Sequence, residues 1–377
     1  MTTGRFLQLH ILTSYPPANL NRDDLGRPKT AIFGGSTRLR VSSQCLKRTW
    51  RTSDVFCEAL TGHVGTRTKI MGKYIYAALV LGKPLAAVLA EPVFPLEKHS
   101  FEALDKKALE KARVLAGFFG ECKSRPSTKE DLAKTPMAEV EIKQLAHFGP
   151  EELAALDEAV EAVRTADAVD PAGLSLLQRK LTAVDIGMFG RMLAADPAFN
   201  VDAAVQVAHA ISINAVTVDE DYFTAVDDLN RHEEDAGAGH IGVTEFGAGI
   251  FYQYVCVNRD LLTENLENDA TLAQKALRAL VEAAVSVAPS GKQNSFASRA
   301  FASYVLAESG DRQPRSLAAA FLDPVVGVGM IAQGVDRLRQ TMGKFDTVYG
   351  PCATNRYEFD VESASGTLSG LLDFVAR

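Results

Sequence analysis

Cysteine is scarce. The chain has five in 377 residues: Cys45, Cys57, Cys122, Cys256 and Cys352. The number is odd and no two stand at a C-x-x-C spacing, which argues against a disulfide framework and a thiolate zinc site and fits a reducing, cytoplasmic setting. Long apolar runs are missing, so no stretch reads as a membrane span, and Met1-Thr2-Thr3-Gly4-Arg5 leads straight into a short apolar alternation unlike a signal peptide. Catalytic signatures are missing too. There is no H-E-x-x-H, no H-x-x-x-H and no G-x-S-x-G, and the seven histidines are scattered. Phe33-Gly34-Gly35-Ser36 and Ser290-Gly291-Lys292-Gln293 match neither phosphate-loop pattern. No internal repeat is visible. The chain therefore reads as a protein without a cofactor, a resident metal or covalent chemistry of its own.

What is present is apolar residue in quantity and unevenly placed charge. Hydrophobic residues make up 47% and charged residues 23%, enough for a sizeable core, and the length suits two or three domains or one domain with a large insertion. The net charge of −7 alone speaks against nucleic acid. Local distribution decides binding, however. Arg22 to Arg51 holds eight basic residues against Asp23 and Asp24, whereas Asp219 to Asp235 holds eight acids against Arg231. The first stretch suits a polyanion and the second another protein, unless both are ordinary solvated faces.

Apolar alternation over Phe6–Thr13 predicts an opening strand, followed by a loop punctuated by proline and glycine and a short strand at Arg38–Val41. Ser42 or Ser43 is placed to cap a helix running to about Leu60. Residues 64–183 are rich in Ala, Leu, Glu and Lys and predict a mostly helical insertion, with runs at Phe101–Phe119 and Glu151–Val163 and a polar loop at Cys122–Lys134. Asp185–Met192 reads as strand. His209–Val226 reads as a hairpin with an acidic tip, Asp219-Glu220-Asp221. Gly249–Val257 reads as a central strand and Leu272–Val287 as a helix, with mixed helix and loop from about 310.

Gln44, Lys47 and Arg51 share one helical face, where an amide and two cations can follow successive phosphates. Arg48 falls a quarter-turn away, and Arg22 and Lys29 precede the helix in the loop. Lys292 sits in a tight turn that either touches a phosphate or is a plain turn. Met192 and Phe223, near the hairpin, offer soft and flat surfaces that can wedge against single-stranded bases. Asp23 and Asp24 are paired carboxylates able in principle to hold Mg²⁺, but more often such pairs cap loops or meet arginines, and no third carboxylate stands at metal spacing.

Asn21-Arg22-Asp23-Asp24, Lys29 to Gly35 and Arg38 to Arg48 closely resemble the start of the type I-E CRISPR Cascade backbone subunit, the CasC family. Phe189-Gly190-Arg191-Met192, Ala208 to Ile211, Phe223 to Leu229 and Gly291-Lys292-Gln293 follow in the family's order, while 64–183 and the tail after 310 carry no matching motif. Cys45 stands where a serine or another small residue is expected. The resemblance implies an α+β fold: an RRM-like (ferredoxin-like) palm over 1–63, 184–208 and 240–377, helical fingers at 64–183 and a β-hairpin thumb at 209–239. It implies CRISPR RNA as the ligand, contacted by Arg22, Lys29, Arg38, Ser42, Gln44, Lys47, Arg48, Arg51, Met192, Phe223 and Lys292. The implied partners are neighbouring copies of the chain, the large, small and guide-end-binding Cascade subunits, and target DNA reached through the guide. Two other readings stay open: a guide-directed RNase using Asp23 or Asp24, as in related type III subunits, and an RRM-type RNA-binding module outside CRISPR systems.

Overall fold

The computed structural model describes residues 4–95, 104–125, 127–178, 182–193, 196–225 and 240–377. The chain divides into two compact units. One comprises Met1–Ala59, Val205–Asp260 and Thr271–Arg377, and the other comprises Leu60–Ala204 and Leu261–Ala270. Residues 184–204, assigned above to the palm, thus belong with the second unit. No described helix is long and apolar enough to cross a membrane.

Strands number β1 (Phe6–Ala18), β2 (Thr30–Phe33), β3 (Ser36–Val41), β4 (Thr66–Thr68), β5 (Ala146–Phe148), β6 (Val205–Val207), β7 (Ala210–Ser212), β8 (Asp219–Ala225), β9 (His240–Asn258), β10 (Ala302–Gly310) and β11 (Asn355–Asp360). In the first unit the described strands form a nine-stranded sheet in the order β11-β10-β1-β9-β7-β3-β2, with β6 and β8 also paired to β9. The pairings are antiparallel, so the unit is α+β. β11 corrects the reading of the C-terminal segment as helix and loop alone; it closes one edge of the sheet between the helices Met330–Tyr349 and Leu368–Val375.

The period-2 pattern of β1 explains its central place. Leu7, Leu9 and Ile11 are fully buried on one face, and Gln8, His10 and Leu12 are buried on the other. On the second face Leu12, Ile213, Tyr252, Tyr304 and Leu306 pack with Phe321, Val335 and Leu338 from the segment that includes Met330–Tyr349. The polar members of that face are satisfied together. Tyr252 lies 2.9 Å from His10 Nδ1, His10 Nε2 lies 3.2 Å from Glu308, and Arg315 and Arg356 also donate to Glu308. Burial alone would raise the Glu308 pKa; the hydrogen bonds from His10 and Arg315 outweigh it and hold the carboxyl below the usual range.

β9 is long because it serves successive partners. Asn258 to Gly247 run beside β1, and on the other side β6, β7 and β8 follow one another. From Phe246 back to His240, β8 is the pairing partner. The ribbon is therefore built from β8 and the start of β9, not folded within 209–226. Asp219 pairs with Phe246 and Glu220 with Glu245, so the acids lie at the ribbon's root and not at its tip. The joining segment 226–239, which includes the end of the expected hairpin and Val226 to Leu229 of the resemblance, lies outside the described residues.

In the second unit, helices Met71–Leu81, Leu85–Leu89, Lys106–Gly117 and Pro150–Arg164 bury Ile75, Tyr76, Leu109, Leu115, Leu156 and Val160 in one core with Phe119 and Phe148. β4 and β5 pair beside them. The first part of the expected Phe101–Phe119 helix lies outside the described residues; its described part starts after Asp105, whose carboxylate accepts from the backbone of Lys107 and Ala108. The polar loop expected at 122–134 contains a helical turn, Lys129–Lys134, capped by Thr128. Asp185–Met192, read as strand, is instead a helix over Val184–Phe189 ended by Gly190 at φ +79°. Six apolar-rich residues suit either state, and the buried hydrogen bonds of Asp185 to Gly65 N and His147 favour the helix.

Candidate nucleic-acid interface

The basic stretch folds as a loop, a β-hairpin and a helix. In the loop, Asp23 Oδ1 accepts from the backbone N–H of Leu25 and Arg27, the short-range bonding that suits aspartate to turns. Asn19, fully buried, donates to the carbonyls of Gly26 and Glu245, and Arg27 reaches Glu245 at 2.7 Å, which ties the loop to the root of the ribbon. Asn21 joins loop to helix: its carbonyl accepts from Lys29 N and its Oδ1 from Ser42 N. Among the described residues no group of three or more His, Cys, Asp or Glu is arranged to hold a metal ion.

The helix starts where expected. Ser42 is the N-cap, in extended conformation, and its hydroxyl accepts from Cys45 N. Ser42 is nearly fully buried, and its hydroxyl serves as the cap acceptor. The helix spans Ser43–Arg51, and a second, Asp54–Ala59, follows a break, so the single run to Leu60 is corrected to two pieces. Leu46 and Trp50, one turn apart, are buried and hold the helix, each burial contributing roughly 1.5–3 kcal/mol. The first turn has no acid, and Arg48 and Arg51 stand in the last, where the helix dipole favours cations. Gln44 and Arg48 are exposed and Lys47 and Arg51 half-buried. Partial burial pushes the Lys47 pKa below the usual lysine range.

Arg38 is corrected most firmly. Its side chain is fully buried. Nη1 donates to the carbonyls of Ser212 (3.0 Å) and Ile213 (2.7 Å), and Nη2 to those of Phe321 (2.9 Å) and Leu322 (3.2 Å). It stitches β3 to the chain that covers the sheet and has no route to a ligand. Arg40, two residues on, is half-buried and was missed; its Nη1 lies 2.9 Å from Nδ1 of the exposed His209. Lys29 and Arg48 lie close enough to Cys45 to pull its thiol pKa down, against the larger upward push of burial and alongside a bond with Thr49. The structure thus gathers Lys29, Arg40 and His209, and Lys29 also shares the neighbourhood of Cys45 with Arg48. Lys292 lies in a left-handed turn (φ +52°), and a Cβ on Gly291 would come within 2.3 Å of the Leu20 carbonyl, so the turn is pressed against the end of β1.

The wedge candidates are both accessible. Phe223, 42% exposed, lies across Gly242 on the paired strand, where a Cβ would meet its ring at 2.4 Å. Met192, 78% exposed in the second unit, follows Arg191, which is buried and held by Glu152 Oε2 at 2.6 Å.

Lys47→Ala is expected to flatten the dependence of single-stranded RNA affinity on log salt by about 0.7, the share of one phosphate. An unchanged slope and affinity would make Lys47 a solvated structural charge.

No curated protein matches the chain. Among solved structures, it is similar to a chain of a CRISPR RNA-guided surveillance complex, pre-nicking, with 29% identity and a TM-score of 0.77 over 98% of this chain and 99% of that one. A chain of another CRISPR RNA-guided surveillance complex is similar at 25% identity and a TM-score of 0.59, covering 98% of each. The model of the CT1975-like protein family matches residues 7–370. The sheet, the basic helix and the ribbon all fall within that match, and the chain belongs to the CT1975-like protein family.

Proposed function

We propose that this protein is the non-catalytic, CRISPR RNA-binding backbone subunit of a type I-E Cascade surveillance complex, working in the cytoplasm. The observation that carries the reading is the cationic surface of Lys29, Arg40, Lys47, Arg48 and Arg51, set on a chain alike from end to end to one in an RNA-guided surveillance complex. The family resemblance supplies the finer terms. The sheet unit serves as an RRM-like palm, the helical unit as fingers and the β8–β9 ribbon as a thumb. Copies line up along one guide, with backbone phosphates held by the basic face and bases left free for target DNA. The other Cascade subunits complete the complex.

Asp23 supports the absence of chemistry, since its carboxylate is engaged in turn hydrogen bonds. The test is to express the chain with a CRISPR array and the other Cascade subunits, and to recover it. RNA of uniform, repeat-derived length is expected to come with it. No cleavage of guide-matched RNA or DNA is expected with Mg²⁺ when the recruited nuclease is absent. RNA of random sequence would sink the CRISPR assignment in favour of a general RNA-binding module. Cleavage abolished by Asp23→Ala or Asp24→Ala would establish the RNase instead.

A further inference from the structure

Beside the helix lies a second cationic feature with its own geometry. β2 and β3 run antiparallel, and the Arg40 N–H donates to the Lys29 carbonyl at 2.8 Å, which sets these two residues side by side. β3 also pairs with β7, with Arg40 opposite Ile211, so His209, two residues before Ile211, comes alongside Arg40. The Arg40 guanidinium donates to His209 Nδ1 at 2.9 Å, and its Nε lies 3.4 Å from the Thr30 carbonyl. This bond fixes the imidazole tautomer: Nδ1 accepts, so the proton sits on Nε2. Arg38 occupies the same side of β3 but is covered; two residues further on the cover has ended and His209 is exposed.

We infer that Lys29, Arg40 and His209 form a seat for one phosphodiester of single-stranded RNA, and that filling it draws a proton onto His209. The inference rests on the RNA-binding reading above and deepens it. Two fixed cations beside an imidazole favour an anion and disfavour a third positive charge while the seat is empty. Desolvation first, then Arg40 and Lys29, lower the His209 pKa, so the empty seat favours the neutral ring. The charged groups facing it are Arg40 from β3 and Lys29 from the segment before β2. The neighbouring titratable group is Tyr254 on β9, whose carbonyl accepts from Ala208 N. A phosphate oxygen reverses the balance. It attracts the imidazolium, which once protonated at both nitrogens turns Nδ1–H away from Arg40 and offers one N–H to the anion, freeing the guanidinium to donate to it as well.

The sign follows from linkage. The bound state holds the proton more tightly than the free state, so affinity is greatest at low pH. It falls as pH rises through the interval between the two pKa values, by up to about tenfold per pH unit for one proton. The experiment is a titration of the intact chain with a fluorescent single-stranded RNA oligomer at constant ionic strength, from pH 5.5 to 8. Wild-type protein is expected to lose affinity with rising pH. His209→Gln is expected to bind at the wild-type's high-pH level with a flat profile. His209→Lys, charged throughout, is expected to keep the low-pH affinity with a flat profile as well. A wild-type profile that His209→Gln leaves unaltered overturns the seat while RNA binding itself stands. Failure of wild-type protein to bind RNA at any pH overturns the RNA-binding reading beneath it.

Discussion

Arg38→Met is expected to destabilise the first unit by about 3 kcal/mol or more. The guanidinium is the partner of four main-chain carbonyls at a fully buried position. Methionine fills much of the space but offers no donor; the Ile213 carbonyl keeps its bond from the Val325 N–H, and each carbonyl left without a donor costs about 1–3 kcal/mol, less whatever the backbone recovers by shifting. Trp50 is the chain's one tryptophan, is 1% exposed, and belongs to the same unit, so its emission during urea unfolding reports the change directly. A clear drop in the midpoint at an unchanged slope is the expected outcome. Were Arg38 a phosphate contact after all, the midpoint would stay in place and RNA affinity alone would fall.

Serine at Tyr222, Ile241 and Val243 together is expected to leave a folded chain that no longer forms long RNA-bound particles. Tyr222 pairs with Val243 and Thr224 with Ile241, so the three apolar side chains share one face of the ribbon, and they are 63%, 59% and 57% exposed for Tyr222, Val243 and Ile241. A two-stranded ribbon alone is marginal in water, and a contiguous apolar face marks a surface meant to be covered. Within the proposed assembly the cover is a neighbouring copy. At roughly 1.5–3 kcal/mol for each side chain buried on docking, losing all three weakens association by about three to six orders of magnitude. The check is sedimentation of the variant with guide RNA, beside its Trp50 spectrum. Particles of wild-type size would mean the ribbon does not join copies. A lost native spectrum would mean its apolar face belongs to the chain's own core.

Much of this protein follows from short-range pattern. The alternation of β1 is written in Leu7, Leu9 and Ile11, and the helix start in Ser42 followed by Leu46 and Trp50. The one-sided charge of that helix could be read from residue types alone, because a helical face depends on 3.6 residues per turn and nothing more distant. The strand assigned to Asp185–Met192 failed because its short apolar run suits helix and strand alike, and a buried carboxylate with partners at Gly65 and His147 decided for helix. The C-terminal strand β11 was missed because an edge strand half-exposed on its faces alternates weakly.

Two features of the site were settled only by long-range packing. The arms of the ribbon were sought on either side of Asp219–Asp221, yet β8 finds its partner beyond residue 239, and strand pairing across such a gap leaves no local signature. Arg38 and Arg40 have the same chemistry, the same strand and the same side of it. Whether each faces water depends on where Phe321 and Leu322 come to rest nearly three hundred residues later. The segment that carries them stops over Arg38, so burial turns that cation into a cross-brace, and the next position on the same face stays open beside His209.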